Sequence, residues 1–123
     1  MKVEFNDTIP IFLQIMTLIK MQVISGSIKP GDKLLSVREY SKVLEVNPNT
    51  VQHAYQELER EGFAFTQRGM GSYITKDKSV VNKAKRQMAE EKIDNFVNGM
   101  RGLGFSDQEI LDFIKDYIKK GGE

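Results

Sequence analysis

Residues 36–62 read SVREYSKVLEVNPNTVQHAYQELEREG, and this stretch carries the signals of two short helices joined by a sharp turn. Ser36 is followed three residues later by Glu39, which is the spacing of a capping box at the start of a helix. Asn47 is a good N-cap, and Pro48 suits the first helical position because its missing N–H would be unpaired there anyway. Two helices joined in this way predict a helix-turn-helix motif.

The second of these helices is predicted to bury one face and to end at Gly62. The first helix is expected to run to about Leu44, which leaves residues 45–47 as the turn. Apolar side chains recur at helical spacing along the second helix and predict its buried face, which consists of Val51, Ala54, Tyr55 and Leu58.

A β-hairpin is predicted directly after the second helix, where the apolar period changes from about 3.6 to about 2 residues. In residues 63–66, phenylalanine alternates with a smaller side chain. Residues 69–71 read Gly-Met-Gly and predict a tight turn, after which Tyr73 begins a return strand that ends near Lys76. A hairpin in this place is a wing. Six aromatic side chains are expected in the core rather than in a stacking platform, namely Phe5, Phe12, Tyr55, Phe63, Phe65 and Tyr73.

A further helix is predicted before this region. It is expected from about Pro10 to Gly26, with Asp7 or Thr8 as its N-cap. Gly26 ends the pattern in the manner of a left-handed C-terminal residue.

The last third of the chain is predicted to be two helices. A helix of about 20 residues is expected from Ser79 until the glycines at 102 and 104 interrupt it. Ser106 and Glu109 then form a second capping box before the last helix. The predicted fold class is therefore mainly α with a small β-hairpin, in which a winged helix-turn-helix domain precedes a C-terminal two-helix hairpin.

The composition excludes several kinds of site. The chain has 123 residues with no Cys and one His, so disulfides, thiolate metal sites, His-rich metal sites and Cys/His pairs are excluded. Neither an enzyme nor a cofactor is expected. No signal-peptide layout and no apolar run of roughly 18 residues is present, so a cytoplasmic location is expected. Because 18 basic and 17 acidic residues give a net charge of +1, overall charge does not by itself favour a nucleic-acid partner.

A set of short strings occurs in order over the first 76 residues. They are PIFLQI at 10–15, PGDKL at 30–34, SVRE at 36–39, VNPNTV at 46–51, AY at 54–55, ELE at 57–59, EG at 61–62 and RGMG at 68–71. Together, at this spacing, the strings resemble the GntR family of bacterial regulators.

The short C-terminal segment resembles that of one subfamily. About 47 residues follow the wing, whereas most regulators of the family carry a much larger effector-binding domain. The short YtrA-type subfamily matches this length. The resemblance implies a winged helix-turn-helix DNA-binding domain at 1–77 and a helical dimerisation tail at 78–123, which is also the expected place of any effector sensing. It further implies a homodimer that controls a transporter operon.

Some positions depart from the family pattern. Leu35 stands where Pro is usual, and Glu45 stands where Gly is usual. Either Glu45 takes a strained left-handed backbone or the turn differs slightly. His53 replaces a basic residue, while Tyr40 and Ser41 replace Leu and Ala. The change at His53 removes a permanent charge near the expected DNA surface.

The resemblance implies a sequence-specific regulator, a repressor in the leading interpretation, that binds an inverted-repeat operator. Residues at the start of a recognition helix face base edges in the major groove, while the wing approaches the minor groove. Arg38 is expected to reach guanine or phosphate, and Lys33 and Lys42 are expected to position phosphates. Asn47 is first a cap, and His53 is as well explained by simple solvent exposure. The full set expected at DNA is Arg38, Asn47, Asn49, Thr50, Gln52, His53, Arg68, Gly69, Gly71, Lys33 and Lys42.

The two C-terminal helices are expected to pair with those of a second copy. Apolar side chains at helical spacing are the predicted interface, namely Ala89, Ile93, Phe96, Val97, Met100, Leu103, Ile110, Leu111, Ile114, Tyr117 and Ile118. A small-molecule effector could bind at this interface or between the two domains, although the short tail offers no obvious pocket.

Other interpretations compete with DNA binding. The near-neutral charge motivates a winged-helix protein-interaction module that does not bind specific DNA. Arg38 could also be a plain surface residue paired with Glu39 or Glu45. A membrane-surface role for residues 110–118 is not favoured, because the polar face of that helix mixes acidic and basic side chains.

Overall fold

The computed structural model describes residues 3–121, which form five helices and one antiparallel pair of strands. In chain order the elements are α1 (Ile11–Ser25), α2 (Val37–Leu44), α3 (Pro48–Arg60), β1 (Ala64–Gln67), β2 (Gly71–Ile74), α4 (Lys78–Gly102) and α5 (Asp107–Lys119). The predicted fold class is confirmed, including the short α2–α3 turn and the hairpin that follows α3.

The chain divides into two compact units. Unit 1 ends at Lys85 and contains α1, α2, α3, the hairpin and the start of α4. Unit 2 begins at Arg86 and contains the rest of α4 together with α5.

The core of unit 1 lies around α3, against which α1, α2 and β1 pack. The predicted stripe on α3 is confirmed, since all four of its members are buried. The most completely buried large side chains of the described residues are Phe63, Ile15, Ile19, Leu58, Ile74 and Val51. Burial of each such side chain contributes about 1.5–3 kcal/mol to folding. This core holds α3 from behind and leaves its other face to solvent.

Both predicted helix starts in the helix-turn-helix are confirmed. The Ser36 Oγ accepts the Glu39 N–H at 3.0 Å, and the Glu39 carboxylate accepts the Ser36 N–H at 3.0 Å. The Asn47 Oδ1 accepts the Asn49 N–H at 2.8 Å. Glu45 between the two helices takes the left-handed conformation at φ 56° and ψ 48°. This conformation raises the free energy of the folded state for a residue with a Cβ, and it lets the chain turn within a few residues from α2 into α3.

The prediction that Asp7 or Thr8 caps α1 is wrong. Pro10 is the N-cap, and no side chain makes a capping hydrogen bond there. Thr8 is instead held in a preceding turn, where both its N–H and its hydroxyl donate to the Asn6 Oδ1. Gln14 organises this segment, because its side-chain nitrogen donates to the Asn6 and Ile9 carbonyls at 2.7 and 2.8 Å.

The expectation that Phe65 lies in the core is also wrong. The strand register pairs Ala64 with Ile74 and Phe65 with Tyr73, and successive side chains of a strand point to opposite faces. Ala64 and Ile74 are buried, so Phe65 lies on the outer face and is 41% exposed. Its ring stacks on that of Tyr73 with 5.7 Å between centroids.

Unit 2 is built from the predicted helical pair. α4 has 25 residues and is therefore longer than expected, and Gly104 follows it at φ 91°. The second capping box is confirmed, with Ser106 and Glu109 exchanging hydrogen bonds of 2.9 and 3.2 Å. The rings of Phe105 and Phe113 meet edge to face at 5.3 Å.

Candidate nucleic-acid interface

The start of α3 presents a row of polar side chains to solvent. Asn49, Gln52 and His53 are exposed, and Thr50 is half-buried. Asn49 and His53 lie on the side of the helix opposite its buried stripe, and Thr50 and Gln52 lie on the flanks of the stripe. Amide and hydroxyl groups placed in this way can donate to and accept from base edges.

Asn47 has a structural task at the same helix end. One lone pair of its Oδ1 accepts the Asn49 N–H, so the amide is held in the orientation that the cap requires. A bidentate contact with adenine needs both groups of the amide. Asn47 is therefore a weaker candidate for base contact than Asn49 or Gln52.

His53 is supported by an aromatic ring from another helix. Its ring stacks on Phe12 of α1, with centroids 3.8 Å apart and planes 21° apart. One face of the imidazole is therefore covered, while the residue as a whole stays exposed. Residues 12 and 53 share no local pattern, so this contact could not be predicted from the sequence.

Arg38 lies exposed in the first turn of α2. Within residues 3–121 it forms no ion pair, so the structure does not place it against Glu39 or Glu45. The carboxylate of Glu39 is instead used by the Ser36 N–H. The Arg38 carbonyl accepts the buried Ser41 hydroxyl at 2.8 Å. The backbone at Arg38 is thus held in place, and its guanidinium is available to a ligand.

Tyr55 connects α3 to the segment that leads into α2. Its hydroxyl donates to the Leu35 carbonyl at 2.7 Å across 20 positions of sequence. Burial raises the pKa of Tyr55, so the hydroxyl remains a proton donor at any physiological pH. Because Leu35 directly precedes the cap of α2, this bond helps to fix the helix that carries Arg38 against α3.

The wing tip is a short exposed loop between β1 and β2. Arg68, Gly69 and Met70 are all exposed, and the Met70 N–H donates to the Gln67 carbonyl at 2.8 Å. Gly69 has φ 76°, a backbone conformation that side chains with a Cβ rarely adopt. The predicted tight turn is confirmed, and it displays Arg68 as expected.

Gly71 has a backbone conformation that favours glycine, and the Lys33 side chain lies beside it. Its φ is 116°, and a Cβ at this position would lie 2.9 Å from the Cε atom of Lys33. The Lys33 chain therefore crosses the open side of Gly71. Lys33 also pairs with Tyr73 through an isolated backbone bridge. Beyond the predicted role of Lys33 near DNA phosphates, the structure joins its backbone to β2 and lays its side chain beside Gly71, next to the wing tip.

Charge is separated along α3 despite the near-neutral total. The acidic side chains lie at the far end of the helix, about 15 Å from Asn49 at 1.5 Å per residue. Several are already engaged, since Glu57 pairs with Arg60 at 2.7 Å, Glu61 with Lys20 at 2.6 Å, and Glu59 accepts from Thr66. The start of α3 has no acidic residue in its first turn. Lys42 is exposed in the last turn of α2.

Neither a metal site nor a membrane-spanning helix is present in the part of the chain that the structure describes. Over residues 3–121, no group of three or more His, Cys, Asp or Glu side chains is arranged to hold a metal ion. In the same part of the chain, no helix combines the length and apolar character needed to cross a bilayer.

Unit 2 exposes many of the side chains predicted to form a dimer interface. Val97, Met100 and Ile114 are half-buried, and Ile110 is buried within the unit itself. The remaining predicted members are exposed, namely Ala89, Ile93, Phe96, Leu103, Leu111, Tyr117 and Ile118. Phe113 is also exposed and was not included in the prediction.

A cleft runs along one side of α5, although the sequence offered no obvious pocket. It has a volume of about 360 Å³ and is open to solvent. Its lining includes Phe105, Phe113 and Tyr117 together with the carboxylates of Asp112 and Asp116.

Known proteins resemble this chain over its full length. Residues 12–74 match the family model described as bacterial regulatory proteins, gntR family. The HTH-type transcriptional regulator YhcF of Bacillus subtilis is 38% identical over 118 residues, which cover 96% of this chain and 98% of that protein. The HTH-type transcriptional repressor YtrA of the same organism is 36% identical over 125 residues, covering 99% and 96%.

A solved structure shares the fold. The GntR family transcriptional regulator from Listeria monocytogenes superposes with a TM-score of 0.83 at 40% sequence identity. The match covers 91% of this chain and 98% of that one. The likeness therefore extends beyond the winged helix-turn-helix to most of the C-terminal helices.

Proposed function

The chain belongs to the GntR family of bacterial regulatory proteins and is a DNA-binding transcriptional regulator, and from that premise we propose that it represses transcription as a homodimer on an inverted-repeat operator. The observation that carries the proposal is the joint exposure of three features in unit 1. These features are the start of α3, the wing tip and an Arg38 without an ion-pair partner in residues 3–121. Exposed groups of these kinds can together contact both grooves of a duplex.

The proposed contacts fall into two groups, those that recognise bases and those that position the protein on the DNA backbone. Asn49, Gln52 and Thr50 read base edges in the major groove, where planar amides suit adenine. Arg38 makes a bidentate contact with guanine or phosphate. The remaining proposed contacts hold the backbone or approach the minor groove, and they are Asn47, His53, Lys33, Lys42, Arg68, Gly69 and Gly71.

The homodimer is proposed from the apolar surface of unit 2. Exposed apolar side chains lie on both α4 and α5, and exposed apolar surface of this kind marks interaction sites. The likeness to YhcF and YtrA covers these helices too. Two-fold pairing places two recognition helices on one duplex and makes the operator an inverted repeat. The division into a DNA-binding domain at 1–77 and a dimerisation tail at 78–123 belongs to this proposal.

The biological setting is proposed from the relatives. YtrA of Bacillus subtilis is named a repressor, which supports repression by this chain. Control of a transporter operon is proposed from the resemblance to the YtrA-type subfamily. A cytoplasmic location is proposed because the protein would have to reach the bacterial chromosome. Any effector would act by changing the angle or spacing of the two recognition helices. The interaction-module alternative is set aside because the family consists of DNA-binding regulators.

Arg38→Ala tests the proposed contact surface. The variant is expected to bind the operator about 10- to 100-fold more weakly, since a bidentate base contact contributes about 1–3 kcal/mol. Arg60→Ala is the matched control, because Arg60 lies at the far end of α3 and pairs with Glu57. Fluorescence anisotropy with duplex from upstream of the gene measures both affinities. Equal affinities of Arg38→Ala and the wild type would contradict the proposal.

A further inference from the structure

Met70 is a large apolar side chain at the end of the wing, and nothing in the fold of the described residues employs it. It is 56% exposed, and it lies between Gly69 and Gly71. Resting on the proposed function, we propose that Met70 inserts into the minor groove as an apolar wedge at a deformable base step. It thereby adds to DNA affinity a part that does not depend on salt.

The loop fixes the position of Met70. Gln67 and Gly71 are the last paired residues of the hairpin, so three residues form the tip. The Met70 N–H donates to the Gln67 carbonyl at 2.8 Å. Its backbone is therefore tied to the strands rather than free to turn away from a ligand. A wedge needs such a fixed base, because a loose side chain would lose conformational entropy on insertion.

The neighbours of Met70 make the tip narrow. Gly69 has no side chain, and open space surrounds the place where its Cβ would lie. Gly71 also lacks a side chain, but the Lys33 chain crosses its open side, with the Lys33 Cε 2.9 Å from where a Cβ would lie. The minor groove of B-DNA is only about 6 Å wide. Because the residues before and after Met70 lack side chains, Met70 can enter a groove of this width from the side of Gly69, which is open.

The chemistry of the tip matches the minor groove. Met is one of the apolar side chains that proteins insert between base steps there. Pyrimidine–purine steps unstack most easily, so the wedge should favour such a step at its position in each half-site. Arg68 beside Met70 supplies the positive charge that the phosphates on either side attract. The tip thus pairs one ionic contact with one apolar contact.

The apolar contact of Met70 and the ionic contact of Arg68 can be distinguished because only the ionic contact depends on salt concentration. Met70→Ala is expected to lower operator affinity about 5- to 20-fold at every salt concentration, because an apolar contact releases no counterions. Arg68→Ala is expected to reduce the slope of log affinity against log salt by about 1. Met21→Ala is the matched control, since Met21 is also exposed, at 47%, but lies on α1. Anisotropy titrations in a series of salt concentrations measure all three.

A second measurement reports on the wedge itself. With 2-aminopurine at the base step under the wing, its fluorescence should rise on binding of the wild type and rise less with Met70→Ala, because unstacking relieves quenching. Unchanged affinity of Met70→Ala, or a loss that disappears at high salt, would overturn the inference while leaving the proposed function intact. Failure of the wild type to bind any duplex specifically would instead remove the proposed function and this inference with it.

Discussion

Two tyrosines lie buried side by side in unit 1, with ring centroids 6.3 Å apart, and they differ in hydrogen bonding. The Tyr55 hydroxyl donates to the Leu35 carbonyl, whereas the Tyr40 hydroxyl is buried and has no partner in residues 3–121. Burial of a hydroxyl group lowers the stability of the folded protein unless the hydroxyl makes a hydrogen bond. The hydroxyl of Tyr55 therefore stabilises the folded protein, whereas the hydroxyl of Tyr40 destabilises it.

Tyr55→Phe is expected to lower the free energy of unfolding by about 1 kcal/mol, because it removes a hydrogen bond and leaves a carbonyl unpaired. It should also weaken operator binding, since the bond helps to fix the helix of Arg38 against α3. Urea unfolding measures the stability change. Tyr40→Phe is the control, and it should keep or raise stability because it removes an unpaired hydroxyl. A Tyr55→Phe protein as stable as the wild type would contradict this account of the bond.

At the scale of the elements, both capping boxes depend on an ionised glutamate. The hydrogen bonds from the N–H and hydroxyl of Ser36 hold the pKa of Glu39 below its usual value. Those from Ser106 lower the pKa of Glu109 in the same way. A carboxyl whose pKa is lowered by folding contributes stability that is fully present above its unfolded pKa. That contribution is lost as the pH falls through the folded pKa.

The helix starts are therefore expected to weaken in acid. The free energy of unfolding should decline as the pH falls below about 4.5, the usual Glu value, and continue to decline through the lowered folded pKa. Glu39→Gln keeps the capping geometry but cannot titrate, so its decline should be shallower. Glu91→Gln, the same change on the exposed surface of α4, should follow the wild type. Identical pH profiles of Glu39→Gln and the wild type would show that the box is not coupled to folding.

The elements that sequence could predict are those with local signals. The boxes at Ser36 and Ser106, the cap at Asn47 and the hairpin turn each depend on residues within about four positions of one another. What the sequence missed joins distant positions, as in the stack of His53 on Phe12 and the bond between Tyr55 and Leu35. Such contacts depend on how helices pack, which no local pattern records.

The error at Phe65 has a different origin, which is the position where β1 begins. Phe63 and Phe65 suggested one buried face, but Phe63 precedes the strand and follows α3. Only from the next residue does the pleat decide which face each side chain takes, and this places Ala64 inward. The site residues at the start of α3 were predictable because the helix register alone separates them from the buried stripe.

At the scale of the whole molecule, the proposed homodimer depends on unit 2. Phe96→Asp is expected to give a monomer that binds the operator poorly, because a charge in an apolar interface is costly to bury. Phe96 is 43% exposed in the single chain, so the change should leave each copy folded. Asn95→Asp is the matched control, since it introduces the same charge at the adjacent exposed position.

Sedimentation velocity distinguishes the two states. The wild type and Asn95→Asp should sediment as dimers and Phe96→Asp as a monomer, with unchanged helical content by circular dichroism. A Phe96→Asp protein that remains dimeric would place the interface elsewhere. A monomeric wild type would remove the homodimer from the proposal.

Selection of duplexes from a random library by the full-length protein tests the central claim most directly. The claim predicts enrichment of inverted repeats whose half-site centres lie about one helical turn or a multiple of it apart. Arg38→Ala should fail to enrich the same sequences. Recovery of no common sequence, or of a single unrepeated site that Arg38→Ala selects equally well, would contradict the claim.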